Sequence, residues 1–297
     1  MSSTLSTAPP LRVVLIGAGK VGIAVARLLH DSGHDVVSVA SRTRRSAERA
    51  AARFGAGVFD LRDGLPACEV ALIATTDDAI GEVAEDIARH MPSRPVVCHF
   101  AGALGTGPLS LVADAGARTC AMHPVASCPT LEAALKRIPG CTWGISGDVD
   151  VRAWAAAVVE RDLDGRVVTV KEEDRPVWHV AAVMTANGVA ALLSSGERLL
   201  ARAGVADPTT VLGPLCAGVI ANAEEAGTAD AALTGPIVRG DTGTIARHVN
   251  ELRKRAPDLA EIYVHSMRVV LAAALRSGSL DAMRGRDVER ALEAAWT

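Results

Sequence analysis

The chain has 297 residues, 49% of them hydrophobic and 22% charged, with a formal net charge of -3. That length suits two domains of a globular protein with ample core, and the near-neutral balance gives no reason to expect nucleic acid or an acidic membrane surface as partner. Aromatic residues at 3% leave little for base stacking, and six cysteines without CxxC or zinc-like spacing point to buried reduced thiols and no metal site.

Residues 1–10, MSSTLSTAPP, lack the basic and apolar regions of a signal peptide and read as a disordered lead-in. From Leu11 the chain reads strand, glycine turn, helix, strand. Val13–Ile16 is a short apolar run, Val21–Leu29 has helical apolar spacing, and Gly17-Ala18-Gly19-Lys20-Val21-Gly22 joins them. Gly17 suits the tight turn, Gly19 lets backbone approach a pyrophosphate, and Gly22 lets the helix pack close to the strand. The helix N-terminus then offers unpaired N–H groups and a partial positive charge to phosphates, so a bound dinucleotide is expected. The second strand, Asp35–Ala40, ends in Ser41-Arg42-Thr43-Arg44-Arg45, where an NAD site would place an acid for the ribose hydroxyls. Ser41 and Arg42 instead suit a 2′-phosphate, which arginine grips with paired charge-assisted hydrogen bonds. NADP(H) is therefore expected over NAD(H), and Arg45 reads as the solvated start of the next helix.

The alternation continues with a helix at Ser46–Arg53, strands at Gly57–Phe59 and Val70–Ala74, and a helix running to His90. Strands Pro95–Phe100 and Arg118–Met122 follow, and Thr142–Ile145 and Arg166–Val170 close the series. This spacing predicts an α/β Rossmann domain, a doubly wound and mostly parallel sheet, over residues 11–170. Beyond Lys171 the period is helical: Asp174–Ala203, Pro208–Ala226, Thr242–Arg255, Pro257–Ser277 and Arg286–Ala295. Residues 171–297 are thus expected to form an all-α domain that binds substrate and makes a homodimer through apolar faces such as Val264–Leu275. The longest apolar run, Val180–Leu193, is interrupted by Thr185 and Asn187 and falls short of the roughly 18 residues of a membrane span. A cytoplasmic protein without a membrane partner is expected.

Ligands of open parallel sheets sit beyond the carboxyl ends of the strands. Thr75 and Thr76, after the fourth strand, and Gly102, after the fifth, are expected to touch the cofactor. His123, leaving the next strand with Pro124, is the first candidate for proton donor at the nicotinamide end, with an ordinary imidazole pKa of about 6.5; the alternative is a turn anchor. His179, opening the long helix, is the second candidate. Asn187 lies in the apolar run Ala181–Gly188 and reads as a buried group that must be satisfied, expected to hydrogen-bond a reacting oxygen or nitrogen. Arg239, in Leu233-Thr234-Gly235-Pro236-Ile237-Val238-Arg239-Gly240-Asp241, suits a carboxylate clamp. Asp241 reads as a helix cap and His248 as a solvated or capping residue.

GAGKVG, SRTRR, HPVAS, HVAAVMTANG and above all LTGPIVRGD resemble the family that joins an N-terminal Rossmann-like domain to a C-terminal domain of unknown function. That family is related to pyrroline-5-carboxylate reductases and deazaflavin-dependent NADP oxidoreductases, and the resemblance runs from Leu11 to Ser279. It implies an NADP-linked oxidoreductase fold. More distantly, the helix carrying Asn187 is similar to the catalytic helix of β-hydroxyacid dehydrogenases and ketopantoate reductase, which place a lysine three or four residues before the asparagine. Met184 and Val183 stand there in this chain, so that lysine is absent. The expected reaction is hydride transfer between NADP(H) and a small carbonyl or imine compound, carboxylate-bearing in one version, in an interdomain cleft. A non-catalytic NADP-binding sensor and a deazaflavin-linked NADP oxidoreductase are the alternatives.

Overall fold

The computed structural model describes residues 9–293; most of the expected lead-in, and the end of the last expected helix, lie outside the described residues. Strands β1 (Arg12–Ile16), β2 (Asp35–Ala40), β3 (Gly57–Val58), β4 (Val70–Ile73), β5 (Val96–His99), β6 (Arg118–Pro124), β7 (Thr142–Gly147) and β8 (Arg166–Thr169) form one sheet in the order β3-β2-β1-β4-β5-β6-β7-β8. All neighbouring pairs are parallel except β6 and β7. The central strands β1, β4 and β5 read as apolar runs because both faces are covered. Val13, Leu15, Val70, Leu72, Val96 and Cys98 belong to one core layer; Val14, Ile16, Ala71, Ile73 and Val97, their neighbours in sequence, belong to the other.

The first layer packs against α1 (Lys20–Asp31), α2 (Arg44–Ala51), α5 (Leu131–Arg137) and α6 (Val149–Asp162), the second against α3 (Ile80–Arg89) and α4 (Ser110–Asp114). Helices α4, α5 and α6 have no counterpart in the sequence reading. The first two are short, and α6 buries Val151, Ala155, Val158 and Val159 from a sequence whose alanines and valines mark no single face. The strand order reverses between β1 and β4, the place where open α/β sheets bind ligands.

One boundary needs correction. His123 does not leave the strand after Met122: β6 runs on to Pro124, with His123 opposite Gly144 and Pro124 opposite Trp143. The extension exists because β7 is antiparallel and carries the ladder past the end of β5, whose pairing stops at Ala121. On that side Pro124 has no strand to donate to, so its missing N–H costs nothing.

The chain divides into two compact units, residues 1–186 and 187–297, which meet within α7 (Arg175–Arg202). The second unit holds α8 (Pro208–Ala226), α9 (Thr242–Arg255), α10 (Pro257–Arg276) and α11 (Ala282–Glu293). Ile237, Ile245, Val249, Val264, Leu271, Val288 and Leu292 make its core. Of the face Val264–Leu275, expected to meet a second copy, Val264, Leu271, Ala273 and Ala274 are buried by this unit's own packing, while Val269 and Leu275 are exposed. Further exposed apolar residues lie on α8, at Val211, Leu215, Val219 and Ile220, and along α7, at Val177, Val180, Val183, Met184, Val189 and Leu192.

Helix α7 also corrects the reading of membrane spans. By length and composition Glu172–Arg202 is apolar enough to cross a membrane, since an 18-residue stretch within it has a mean hydropathy of 1.4. The sequence reading asked for an unbroken apolar run, whereas Thr185 and Asn187 dilute the surrounding alanines and valines without cancelling them.

Candidate functional site

The glycine turn is shaped by what its missing side chains avoid. Gly17 has φ +102°, and a Cβ there would lie 2.4 Å from the Ala74 carbonyl oxygen; its N–H donates to the Ala40 oxygen at 2.8 Å. A Cβ on Gly22 would lie 2.1 Å from the Ala74 Cβ, so the first turn of α1 rests directly on the end of β4. Gly19 is the N-cap of α1, gives it no side-chain cap, and no acid follows in the first turn. The free N–H groups and the positive end of the helix dipole are therefore uncompensated by side chains there. Lys20 reaches across to the Pro129 oxygen at 2.5 Å.

A cavity of about 340 Å³ belongs to the second unit alone, while one of about 300 Å³ lies at this turn. The latter is bordered by Gly19 to Gly22, Ala74, Thr75, Asp77, Phe100 and Ala101. Thr75, of the expected cofactor residues beyond the turn, lines it; Thr76, Gly102, Ser41 and Arg42 do not. Arg42 is exposed at the end of β2, and its guanidinium has no hydrogen bond or ion pair among the described residues. Its neighbours are committed locally: Thr43 caps α2, and Arg44 pairs with Glu48.

A second cluster gathers at the ends of β5 and β6. The indole N–H of Trp178 donates to Nδ1 of His123 at 3.0 Å, and the rings of His123 and His179 meet edge to face, 5.5 Å between centroids. Gly102 makes room for both: a Cβ there would lie 2.2 Å from His179 Nδ1 and 2.9 Å from His123 Nε2. His179 Nδ1 is buried without a hydrogen bond. Burial first, then the charges of His179 and Arg175, push the His123 ring down to about 4, well below the ordinary imidazole value expected from sequence. At neutral pH the ring is uncharged.

Arg175 is fully buried at the start of α7. It donates to Ser146 Oγ at 2.7 Å and to the carbonyls of Ala121 at 2.5 Å and Gly144 at 3.1 Å, while Nη1 has no partner. His99 is buried beside it, its Nε2 within 2.8 Å of the Gly105 oxygen and its Nδ1 accepting from the Ala101 N–H; burial lowers its pKa. Glu172 accepts from the N–H and hydroxyl of Thr106 and so holds the loop after β5. Sequence reasoning missed Arg175, Trp178, His99 and Gly144 as parts of this cluster. A charge in Glu172-Glu173-Asp174-Arg175 reads as solvated, and only the apolar company of Trp178, one turn after Arg175, hinted otherwise.

In the second unit, Asn187 is exposed, which corrects the expectation that it would be buried. The surrounding helix surface is itself uncovered, with Met184 72% and Val183 41% exposed. Arg239 is exposed too, in a loop turned by Gly235 (φ +101°) and Gly240 (φ +65°), and its guanidinium forms no hydrogen bond among the described residues. Asp241 caps α9: the Thr244 N–H and hydroxyl, and more weakly the charges of Arg247 and Arg239, hold its carboxyl below the usual range. His248 Nδ1 lies 2.9 Å from the Tyr263 hydroxyl, a partner not anticipated.

Family models match most of the chain in two consecutive pieces. One, described as a Rossmann-like domain, covers residues 2–124, and one described as a domain of unknown function (DUF2520) covers residues 141–269. The chain joins a Rossmann-like domain to DUF2520. This bears out the resemblance carried by GAGKVG, HVAAVMTANG and LTGPIVRGD. No curated protein matches the chain. Among solved structures, BF3122 from Bacteroides fragilis, provisionally described as an NADP oxidoreductase, shares 23% identity over 88% of this chain and 98% of that one, with a TM-score of 0.72. A reductive aminase from Aspergillus terreus, in complex with NADPH and ethyl levulinate, shares 18% over 97% and 94%, with a TM-score of 0.59. A pyrroline-5-carboxylate reductase from Coxiella burnetii shares 15% over 97% and 98%, with a TM-score of 0.56. At these identities the likeness establishes a common fold.

Proposed function

We propose that the protein is an NADP(H)-dependent oxidoreductase that transfers hydride to or from a small carbonyl or imine compound with an anionic handle such as a carboxylate. One observation carries this reading: at the point where the strand order reverses, the glycine turn, the uncapped first turn of α1 and the ends of β4 and β5 border one cavity. The residues fit the cofactor. Free N–H groups after Gly19 suit its pyrophosphate, Ser41 and the unpaired Arg42 suit a 2′-phosphate, and Thr75, Thr76 and Gly102 offer small groups and backbone to the rest. When bound, NADP(H) supplies the hydride; the chain supplies orientation and charge stabilisation. His123 and His179 are the groups we set against the reacting atoms. Asn187 is assigned to hydrogen-bond the reacting oxygen or nitrogen and Arg239 to hold the anionic group. The NADPH-bound reductive aminase and the pyrroline-5-carboxylate reductase among the structural neighbours support a reading of this class.

The protein is further proposed to be a cytoplasmic homodimer, in which a second copy covers the exposed apolar stripes of α7 and α8. Calorimetric titration tests the central claim: NADPH is expected to bind more tightly than NADH, and equal affinities or no binding of either would refute it. NADPH consumption with ketones, 2-oxo acids, aldehydes and cyclic imines then tests catalysis.

A further inference from the structure

The hydrogen bond between Trp178 and His123 decides more than position. An indole N–H can only donate, so His123 Nδ1 must accept, and a neutral ring then carries its proton on Nε2. The arrangement is held from both sides. Gly144, the ladder partner of His123, leaves room for the indole, since a Cβ there would lie 2.7 Å from it. Gly102 leaves Nε2 open, and Nε2 has no hydrogen-bond partner among the described residues. The charged and titratable groups acting on the ring are His179, in edge contact, and the buried guanidinium of Arg175. The hydrogen-bond partners of that guanidinium are all neutral oxygens, and the acid that acts on it, Glu172, is turned to Thr106.

We propose that His123 serves the substrate as a fixed hydrogen-bond donor through Nε2–H, that Trp178 is the positioning residue that sets this tautomer, and that the substrate atom it meets is a carbonyl oxygen. This rests on the oxidoreductase reading above and narrows it. A protonated imine would present an N–H to an N–H, beside a guanidinium of its own sign, so neither pairing nor charge favours it. Giving up the Nε2 proton outright would leave an imidazolate. His123 therefore polarises the carbonyl and holds the oxyanion as it develops. The carbonyl carbon accepts the hydride, the C–O π pair moves to oxygen, and that oxygen takes a proton from water, releasing hydroxide.

Long-range proton–nitrogen NMR of the ring nitrogens reads the tautomer directly in the parent protein. His123 is expected as the Nε2–H form alone at pH 7, neutral until it titrates near pH 4. In Trp178→Phe the two tautomers are expected to mix; the parent spectrum decides the tautomer even if that variant fails to fold. His123→Ala is expected to lower kcat by about 10²–10³-fold, as for loss of one oxyanion donor, and His123→Gln, which keeps a donor, by less. In the NADPH assay, turnover is expected among ketones and 2-oxo acids and not among cyclic imines. An Nδ1–H ring, a parent titration near 6.5, imine turnover at a rate comparable with the carbonyls, or turnover of neither panel overturns the proposal. Failure of NADPH to bind refutes the oxidoreductase reading and leaves the tautomer measurement standing, so the two failures are distinguishable.

Discussion

Gly22→Ala puts the fit between α1 and β4 to a quantitative test. The added Cβ would lie 2.1 Å from the Ala74 Cβ and 3.2 Å from Leu15 Cδ1. Carbon atoms rest about 3.5–4.0 Å apart, so the first turn of α1 would have to retreat by roughly 1.5 Å. Overpacking of this kind costs about 1–3 kcal/mol, and a contact this short belongs at the upper end. Alanine returns at most about 1 kcal/mol of helix propensity, and less in a first turn. The expected net loss is about 2 kcal/mol, which lowers the Tm by roughly 4–8 °C for a domain of this size. Because Gly19 and the N-terminus of α1 move with the turn, NADPH affinity is expected to fall as well. Thermal unfolding followed by circular dichroism measures the first effect, and titration calorimetry the second. Adding Ala74→Gly removes the methyl that collides, so the double variant is expected to recover more than about 1 kcal/mol relative to the sum of the single changes. A Gly22→Ala protein as stable as the parent, or a double variant that merely adds the two losses, refutes the reasoning.

Arg42→Ala is expected to erode the preference for NADPH over NADH by about 1–3 kcal/mol while leaving NADH affinity unchanged; an unaltered preference in calorimetry removes Arg42 from the 2′-phosphate site. His179→Ala, which removes a ring whose Nδ1 makes no hydrogen bond, is expected to cost less turnover than His123→Ala. Asp162 lies 3.1 Å from His34 Nε2 in a buried pair. Burial raises its carboxyl, but the hydrogen bonds from Arg161 and the adjacent His34 ring outweigh this and hold it below the usual value. Its contribution is thus present above the unfolded value of about 3.9 and lost as pH falls through the lower folded one. Asp162→Asn is expected to cost about 3 kcal/mol at pH 7, with the gap to the parent narrowing as pH is lowered below about 3.9 in urea unfolding; a pH-independent gap counts against the pair. Light scattering at micromolar concentration is expected to give twice the chain mass. A single-chain mass, or recovery in the detergent phase after partitioning, refutes the proposed dimer.

Much of the sheet was legible because its determinants are local. A strand buried on both faces must be apolar at every position, so β1, β4 and β5 stand out as runs, and α1 shows its 3.6-residue spacing. The glycine turn was legible for a related reason: a backbone at φ +102°, or a position where an added Cβ would fall within 3 Å of a neighbouring atom, excludes a side chain at that one residue. The helix cap at Asp241 needs only a carboxylate three residues before Thr244.

What the sequence could not determine depends on partners distant along the chain. The antiparallel course of β7 is a choice of neighbour, and it alone extends β6 to place His123 against Gly144. Arg175 reads as one more charge until the fold brings it against carbonyls 54 and 31 residues away. His123 looks like an imidazole of ordinary pKa until Trp178, 55 residues on, occupies its Nδ1 and burial lowers its titration to about 4. Asn187 reads as buried because its neighbours are apolar, yet a helix face is buried only by what packs on it, and α7 is apolar without being covered. Residue type and spacing set local conformation; desolvation and charge are sums over the atoms that surround a group, and those the tertiary structure alone decides.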